Sequence, residues 1–548
     1  MRRPLLFAWI AASAGVLIGA HLAVAEGPGP LEAAKKVDAL LAQELFQSAG
    51  GASAELAPRT DDETFLRRVT LDLTGTLPSP GDVTAFALDR SPDKRAAVVD
   101  RLLADSTFGR NWARYWRDVI LYRRNDERAL LAARAVETYL TEKFNADAPW
   151  DAIARSFVTA TGDVREEGRT AIVMAQMGDV NDVTSEMSRI LLGVQIQCAQ
   201  CHDHPTDRWK RQQFHELAAF FPRVQLRRRN GAGMLSFEVA SFDDARRRRP
   251  QGMVGARGEL EHYMPDLNDP TAQGTLMTPR LFLSGQQLAE GETDLERRQA
   301  LANWMTDAKN PWFAKAFVNR IWAELVGEGF YEPVDDLGPD RKCSAPAAME
   351  ELAGQFAARQ FDVKWLFQTI VATEAYQRES RPRRNPDQTP FTANCSQRLR
   401  SDQIYDALYS ALGGGAVAMS GPRQRPAGPY GLGGPRALFG AVFGYDPSDR
   451  REEISGSIPQ ALLLMNSPLV NQAIHARRPD NDLGRLLAET RDDDDMTGEL
   501  YLRCLAREPN DKELAACRDY VGRVGDRAEA YEDIFWALVN SAEFLHRN

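Results

Sequence analysis

The stretch TDDETFLRRVTLDLTG, residues 60–75, decides how the chain is read. Phe65, Leu66, Val69 and Leu73 recur at helical spacing. Thr60 with Glu63 three residues on has the form of a capping box, and Gly75 is a helix stop. Outward from this segment the same grammar repeats. Ser79-Pro80 and Ser91-Pro92 each set a capping hydroxyl before a proline whose fixed φ suits the first helical turn. Val98, Val99, Leu102 and Leu103 form one apolar stripe, and Trp112, Tyr115, Trp116 and Val119 form another. An aromatic stripe at this spacing reads as core before it reads as a cofactor wall.

Residues 31–223 therefore read as a helical domain. Between 224 and 285 the texture changes. Met234 to Phe242 alternates loosely, glycine and proline recur, and short strands and loops are expected. Arg246 to Arg249 in this stretch reads as a solvated loop. Helical patterns resume over 286–548: Thr293 before Leu295, Leu301, Trp304 and Met305; Pro311 before Phe313, Phe317, Ile321 and Trp322; Ser344 before Met349, Leu352 and Phe356. Residues 413–442 hold nine glycines and read as a long loop. Helices return from Pro459, broken by the acidic run Asp492 to Asp495. The expected fold is mainly α, with multi-helical N- and C-terminal domains around a short β/loop-rich middle segment.

The N-terminus addresses the compartment. Arg2 and Arg3 precede an apolar run from Leu5 to Ala20, and Ala23-Val24-Ala25 supplies a small-x-small cleavage site before Glu26. This is the pattern of a secretory signal peptide over residues 1–25, cut after Ala25. The run is too short, and too interrupted by Ser13, Gly15 and Gly19, for a spanning helix. The expected location is periplasmic or extracellular, with no membrane span after cleavage. The 548 residues carry 67 basic and 77 acidic side chains, net −10. Loss of Arg2 and Arg3 takes the mature chain to −12. That balance argues against a nucleic-acid partner.

Six cysteines are too few for a disulfide scaffold. Their placement matters more. Cys198-Ala199-Gln200-Cys201-His202 is the attachment sequence of c-type haem. Two thiols three residues apart reach the two vinyl groups, and the adjacent imidazole of His202 becomes the axial iron ligand. His204 reads as a haem-binding residue beside it, facing a propionate or supporting His202. For the sixth iron position the sequence offers His215, His262, Met264 and Met277 downstream, and Met174, Met177 and Met187 upstream. Other readings stay open: zinc held by Cys198, Cys201, His202 and His204, or a Cys198–Cys201 disulfide. Cys504 with Cys517, and Cys343 with Cys395, are candidate disulfides. Asp335-Asp336 has the look of a glycosidase pair, although such pairs more often cap or face solvent. No Walker, nucleophile-elbow, dinucleotide or H-E-x-x-H motif is found.

At these residues the chain resembles the planctomycete-type cytochrome-c-like domain of unknown function. The segments that carry the resemblance are Phe65 to Gly75, Ser91 to Arg95, Trp112 to Trp116, Gly193 to Pro205 and Leu217 to Phe221. The later half resembles that domain's habitual partner, at Asn310-Pro311, Val318 to Trp322, Gly327 to Gly329, Ala461 to Pro468, Leu500 to Arg503 and Trp536 to Ser541. The resemblance implies an exported protein with a haem-type motif at Cys198, Cys201, His202, Asp203, His204 and Pro205, and supplies no activity. That family often has an aromatic where His215 stands, which makes His215 a poor shared ligand; it tends to have Phe-Asp where Thr206-Asp207 stands, a change without consequence for ligation. The function expected is a single-haem electron-transfer protein with an unidentified redox partner. The alternatives are a haem- or metal-dependent extracytoplasmic enzyme, acting for instance on polysaccharide, and a structural or binding module.

Overall fold

The computed structural model describes residues 27–46, 55–229, 236–243, 260–382 apart from 270, 283 and 290, 388–413, and 434–548 apart from 451–453, 455, 467–469, 472–473 and 478–481. The expected signal peptide, the Arg246–Arg249 run and residues 414–433 lie outside the described residues.

The described residues are 59% helical with a few short strands, a mainly α fold. Helices α1 (Pro30–Leu41), α2 (Asp62–Thr74), α3 (Pro80–Leu88), α4 (Lys94–Ala104) and α5 (Ser106–Leu121) come first. They are followed by α6 (Ala133–Asn145), α7 (Trp150–Val158), α8 (Ala171–Ala175), α9 (Val180–Leu192) and α10 (Arg211–Ala218). Then come α11 (Asp294–Met305), α12 (Pro311–Val326), α13 (Pro346–Ala358), α14 (Val363–Ala372), α15 (Glu374–Gln377) and α16 (Ser401–Ala411).

Several starts fall where the sequence puts them. Ser79 caps α3, Thr293 and Glu296 make a capping box on α11, and Asn310-Pro311 opens α12. Others slide along the chain. Asp61 rather than Thr60 caps α2, its carboxylate accepting from the Thr64 N–H, and Gly75 ends that helix at φ 73°. Helix α4 begins after Asp93, leaving Ser91-Pro92 in the turn before it, and α13 begins after Ala345 with no side-chain cap from Ser344. Neighbouring hydroxyls and carboxylates are near-equal caps, so register is set by the packing that follows. A larger correction concerns 413–442: residues 435–443 form a helix on Pro435 that buries Phe439 and Phe443. Glycine content masked an apolar period.

Strands β2 (Val224–Arg228) and β3 (Phe237–Ser241) pair antiparallel, with the two-residue β1 (Gly162–Asp163) on the far side of β3. A second hairpin pairs β4 (His262–Met264) with β5 (Thr275–Met277). A third ladder, Gln397–Arg398 with His546–Arg547, joins the end of the chain to its interior.

Two apolar cores result. The first runs from Ala33 to Phe391, taking in α1 through α15, and adds Ala506 from the later helices. The second gathers Leu399 to Phe544, with Leu71 and Leu77 supplied from the α2 region. The change of texture near residue 286 is therefore not a change of core, because α11 to α14 pack against α1, α7 and α9. The aromatic stripe of α5 is core. Trp116 lies parallel to Phe317 at 5.6 Å and 4.4 Å from Trp150, and Phe317 stacks on Phe356 at 5.3 Å. Four helices thus meet at one aromatic ladder.

The seam between the cores is polar and guanidinium-rich. Arg67 and Arg68, on α2, are buried. Arg67 donates to the His546 carbonyl and Arg68 to the carbonyls of Arg378 and Asn548. Asp72 takes a 2.6 Å ion pair from Arg547 and a 2.7 Å bond from the Tyr376 hydroxyl.

Candidate functional site

The C-x-x-C-H segment follows directly on α9. That helix is capped by Asp179, whose carboxylate accepts from the N–H groups of Asn181 and Asp182, and it ends at Gly193 in the left-handed region, φ 66°. A side chain at 193 would meet Leu337 at 2.9 Å and Ala316 at 3.1 Å, so this close approach needs glycine. The chain then enters a short 3₁₀ turn, Gln197–Gln200. Ala199 is 0% exposed and pins the turn to the core. Cys198, Cys201 and His202 are left exposed, and neither thiol is in a disulfide.

His202 is oriented. Its Nδ1 lies 2.7 Å from the Asp203 carbonyl oxygen. A carbonyl only accepts, so Nδ1 carries the proton and the Nε2 lone pair is available to a ligand. Asp203 is itself held at the start of α10, with Oδ1 accepting from the Arg211 N–H at 3.0 Å and Oδ2 pairing with Lys210 at 2.9 Å. The Arg211 N–H foremost, and then Lys210, hold this exposed carboxyl below the usual aspartate range. His204 donates its backbone N–H to the Trp209 carbonyl, and its Nδ1 accepts from the Thr206 N–H at 3.3 Å. His204 therefore closes the loop that carries His202. Trp209 anchors the far end, edge-on to Phe282 and Trp312.

One loop of the later half, residues 335–341, grips the motif from both sides. Upstream of the motif, the Leu337 N–H donates to the Gly193 carbonyl at 2.7 Å and Gln195 donates to Asp335 at 2.9 Å. Downstream, Arg208 pairs with Asp340 at 2.8 Å, and the Asp207 carboxylate, 1% exposed, lies over Gly338 with Arg341 at 3.8 Å. Asp335 is the hub. Its buried carboxylate faces Arg189 at 2.7 Å and Arg320 at 3.2 Å, and Ser448 completes the set. Burial alone would raise its pKa; Arg189, and after it Arg320, overcome that and hold the carboxyl far below the aspartate range. Asp335 is thus a structural ion-pair centre, not half of a solvent-facing acid pair.

The sequence candidates separate cleanly. Cys198, Cys201, His202 and His204 share one surface loop. His215 and His262 meet beneath it: His215 Nε2 is 3.0 Å from the Gln200 carbonyl, and its Nδ1 is 2.8 Å from His262 Nε2. Both His215 nitrogens are engaged by protein, so it is not placed as an iron ligand. Met174, Met177 and Met187 are buried in the first core, away from the sixth-ligand role considered for them. Met264 and Met277 pair with Thr275 and His262 across the β4–β5 ladder. None of the six cysteines forms a disulfide: Cys343 bonds the Tyr331 hydroxyl and Cys517 that of Tyr501. Gln195 and Asp207 carry no sequence signal, because the groups that give them meaning lie more than a hundred residues away, and Asp335 reads from sequence only as one of an acid pair because Arg189 lies 146 residues off.

The donor set fits covalent haem: two exposed thiols on one short turn, and a following imidazole with Nε2 unengaged. Among the described residues no group of three or more His, Cys, Asp or Glu side chains converges as a metal site. Nor does any helix among them have the length and apolarity to cross a membrane.

Comparison with known families gives two matches in chain order. Residues 36–226 match the model described as PSCyt2, protein of unknown function (DUF1549), and residues 297–433 match PSD1, protein of unknown function (DUF1553). The first contains the whole C-x-x-C-H loop and the second contains the 335–341 loop that grips it. No curated protein and no solved structure matches the chain.

Proposed function

We propose that this protein is an extracytoplasmic single-haem electron carrier, with haem c attached through Cys198 and Cys201 and ligated by His202. The observation that carries the reading is the state of the loop: both thiols are exposed and outside any disulfide, and Nδ1 of His202 is committed to the Asp203 carbonyl, which turns Nε2 to the ligand. An axial histidine whose other nitrogen is fixed by a carbonyl is the usual arrangement. Bound there, haem supplies one-electron chemistry between ferrous and ferric iron. The chain's residues do the rest. Ala199 and Trp209 fix the two ends of the loop, Asp203 orients His202, and the exposure of the motif leaves it open to a partner. The acidic mature surface favours a basic patch on that partner.

The test is expression with a haem-attachment system and an export signal, followed by a denaturing gel stained for haem peroxidase activity. The stained band should run at the size of the chain and vanish in Cys198→Ser with Cys201→Ser. A wild-type band that takes no stain contradicts the proposal.

A further inference from the structure

Beneath the attachment turn, two histidines 47 residues apart meet edge to edge. His215 lies on α10 and His262 on β4; they are 1% and 9% exposed, with rings 5.1 Å apart and 23° from parallel. The hydrogen-bond chain has a single direction. The Gln200 carbonyl only accepts, so His215 carries its proton on Nε2. Its Nδ1 is then the acceptor, and Nε2 of His262 donates to it. Burial foremost pushes both imidazoles down to about 4, so both are neutral at pH 7 and the tautomers are defined. Two buried imidazoles are costlier to bury than two phenyl rings of similar volume. What they add is one fixed point, the carbonyl of Gln200. That carbonyl belongs to the planar peptide whose nitrogen is the backbone nitrogen of Cys201. Holding it fixes the plane from which Cys201 departs, while Ala199 fixes the plane after Cys198.

We propose that His215 and His262 form a tautomer-locked strut that sets the Gln200–Cys201 peptide, and through it the relative placement of the two thiols. It is a positioning role that rests on the haem-attachment reading. His215 delivers the hydrogen bond. His262, tied into the β4–β5 ladder opposite Met277, selects the His215 tautomer that can deliver it. The β4–β5 hairpin, which begins 61 residues after Cys201, thereby becomes part of the attachment site.

The experiment uses the full chain in two forms. With the attachment system present, covalent haem per chain is measured for wild type, His215→Phe, His215→Gln and His262→Phe. Glutamine places an amide N–H near the position of Nε2, so His215→Gln should attach haem as wild type does. His215→Phe should fall about 10-fold, as loss of an outer partner does at metal sites, and His262→Phe should fall several-fold. Without the attachment system, the ratio of iodoacetamide reaction rates at Cys198 and Cys201 is read by peptide mass spectrometry. That ratio should change about 5-fold in His215→Phe and return in His215→Gln. Equal haem yields in His215→Phe and wild type overturn the strut, as does an alkylation ratio that none of the three variants moves. If wild type takes up no haem, the attachment reading fails while the alkylation ratio still decides the strut. If His215→Phe does not fold, the comparison of His215→Gln with His262→Phe decides it.

Discussion

Replacing Asp335 by alanine removes the carboxylate shared by Arg189 and Arg320, and leaves two guanidinium groups, 3% and 2% exposed, without that common counter-charge. Breaking a buried ion pair on one side costs about 3–5 kcal/mol. Arg189 keeps Glu186 at 2.6 Å, which moderates the loss, whereas Gln195 loses its acceptor, which adds to it. The expected penalty is about 4 kcal/mol, read as a fall of roughly 1 M or more in the urea midpoint of the first unfolding transition. The same change should loosen the motif, because Asp335 reaches it through Gln195. Deuterium uptake across residues 193–210 should rise, while the second core around Leu500 and Phe535 stays protected. Asp335→Asn, which keeps an oxygen for Gln195, should lose stability but disturb the motif less. The pH dependence has a definite sign. Asp335 titrates below its unfolded value, so its contribution is full above the ordinary aspartate pKa and is lost as pH falls toward the folded value. The asparagine variant should lack that part of the acid limb. A penalty under about 1 kcal/mol, or unchanged uptake at 193–210, would refute the coupling of hub to motif.

Three further perturbations test the frame. Trp116→Ala opens the ladder shared by α5, α7, α12 and α13 and should cost about 3–5 kcal/mol in urea unfolding; a loss under 1 kcal/mol would mean the ladder is not the centre of the core. Arg547→Ala strands the buried Asp72 carboxylate and should lower thermal stability sharply. Arg547→Lys should recover only part of it, since an ammonium cannot serve both Asp72 and the Leu325 carbonyl as a guanidinium fork does, and full recovery by lysine would contradict that geometry. His215 and His262 titrate near 4 when folded against 6.5 when unfolded, so the neutral pair supports the fold above about pH 6.5 and that support is lost as pH falls toward 4. Urea stability should fall by a few kcal/mol, at about 1.4 kcal/mol per pKa unit, between pH 7 and 4.5, and a double phenylalanine variant with the same profile would dispose of this assignment.

Much of the helical frame was legible because it rests on local physics. Thr293 with Glu296, Asn310 before Pro311, and the 3.6-residue stripe through Trp112 and Trp116 need no distant partner to be read. Caps drifted where two competent side chains stood together, as at Thr60 and Asp61, and the helix on Pro435 was hidden because nine glycines outweighed the apolar spacing of Phe439 and Phe443. The site divided in the same way. Cys198, Cys201 and His202 could be found in one dimension because the C-x-x-C-H motif is itself defined by spacing. Their support could not. Asp335 looked like an acid among acids until Arg189 arrived from 146 residues away, and His215 gained its purpose from a carbonyl in the preceding turn and an imidazole in a later hairpin. The later half of the chain thus holds the motif of the earlier half, a physical reason for the two matched segments to share one polypeptide.

The most direct measurement is the pyridine haemochrome spectrum of the purified, haem-matured protein, taken after acid-acetone extraction and quantified against chain concentration. Haem attached through Cys198 and Cys201 would give a c-type spectrum that survives extraction at one haem per chain and is abolished by Cys198→Ser with Cys201→Ser. A colourless chain from cells that mature a control c-type cytochrome, or colour that extraction removes, would contradict it.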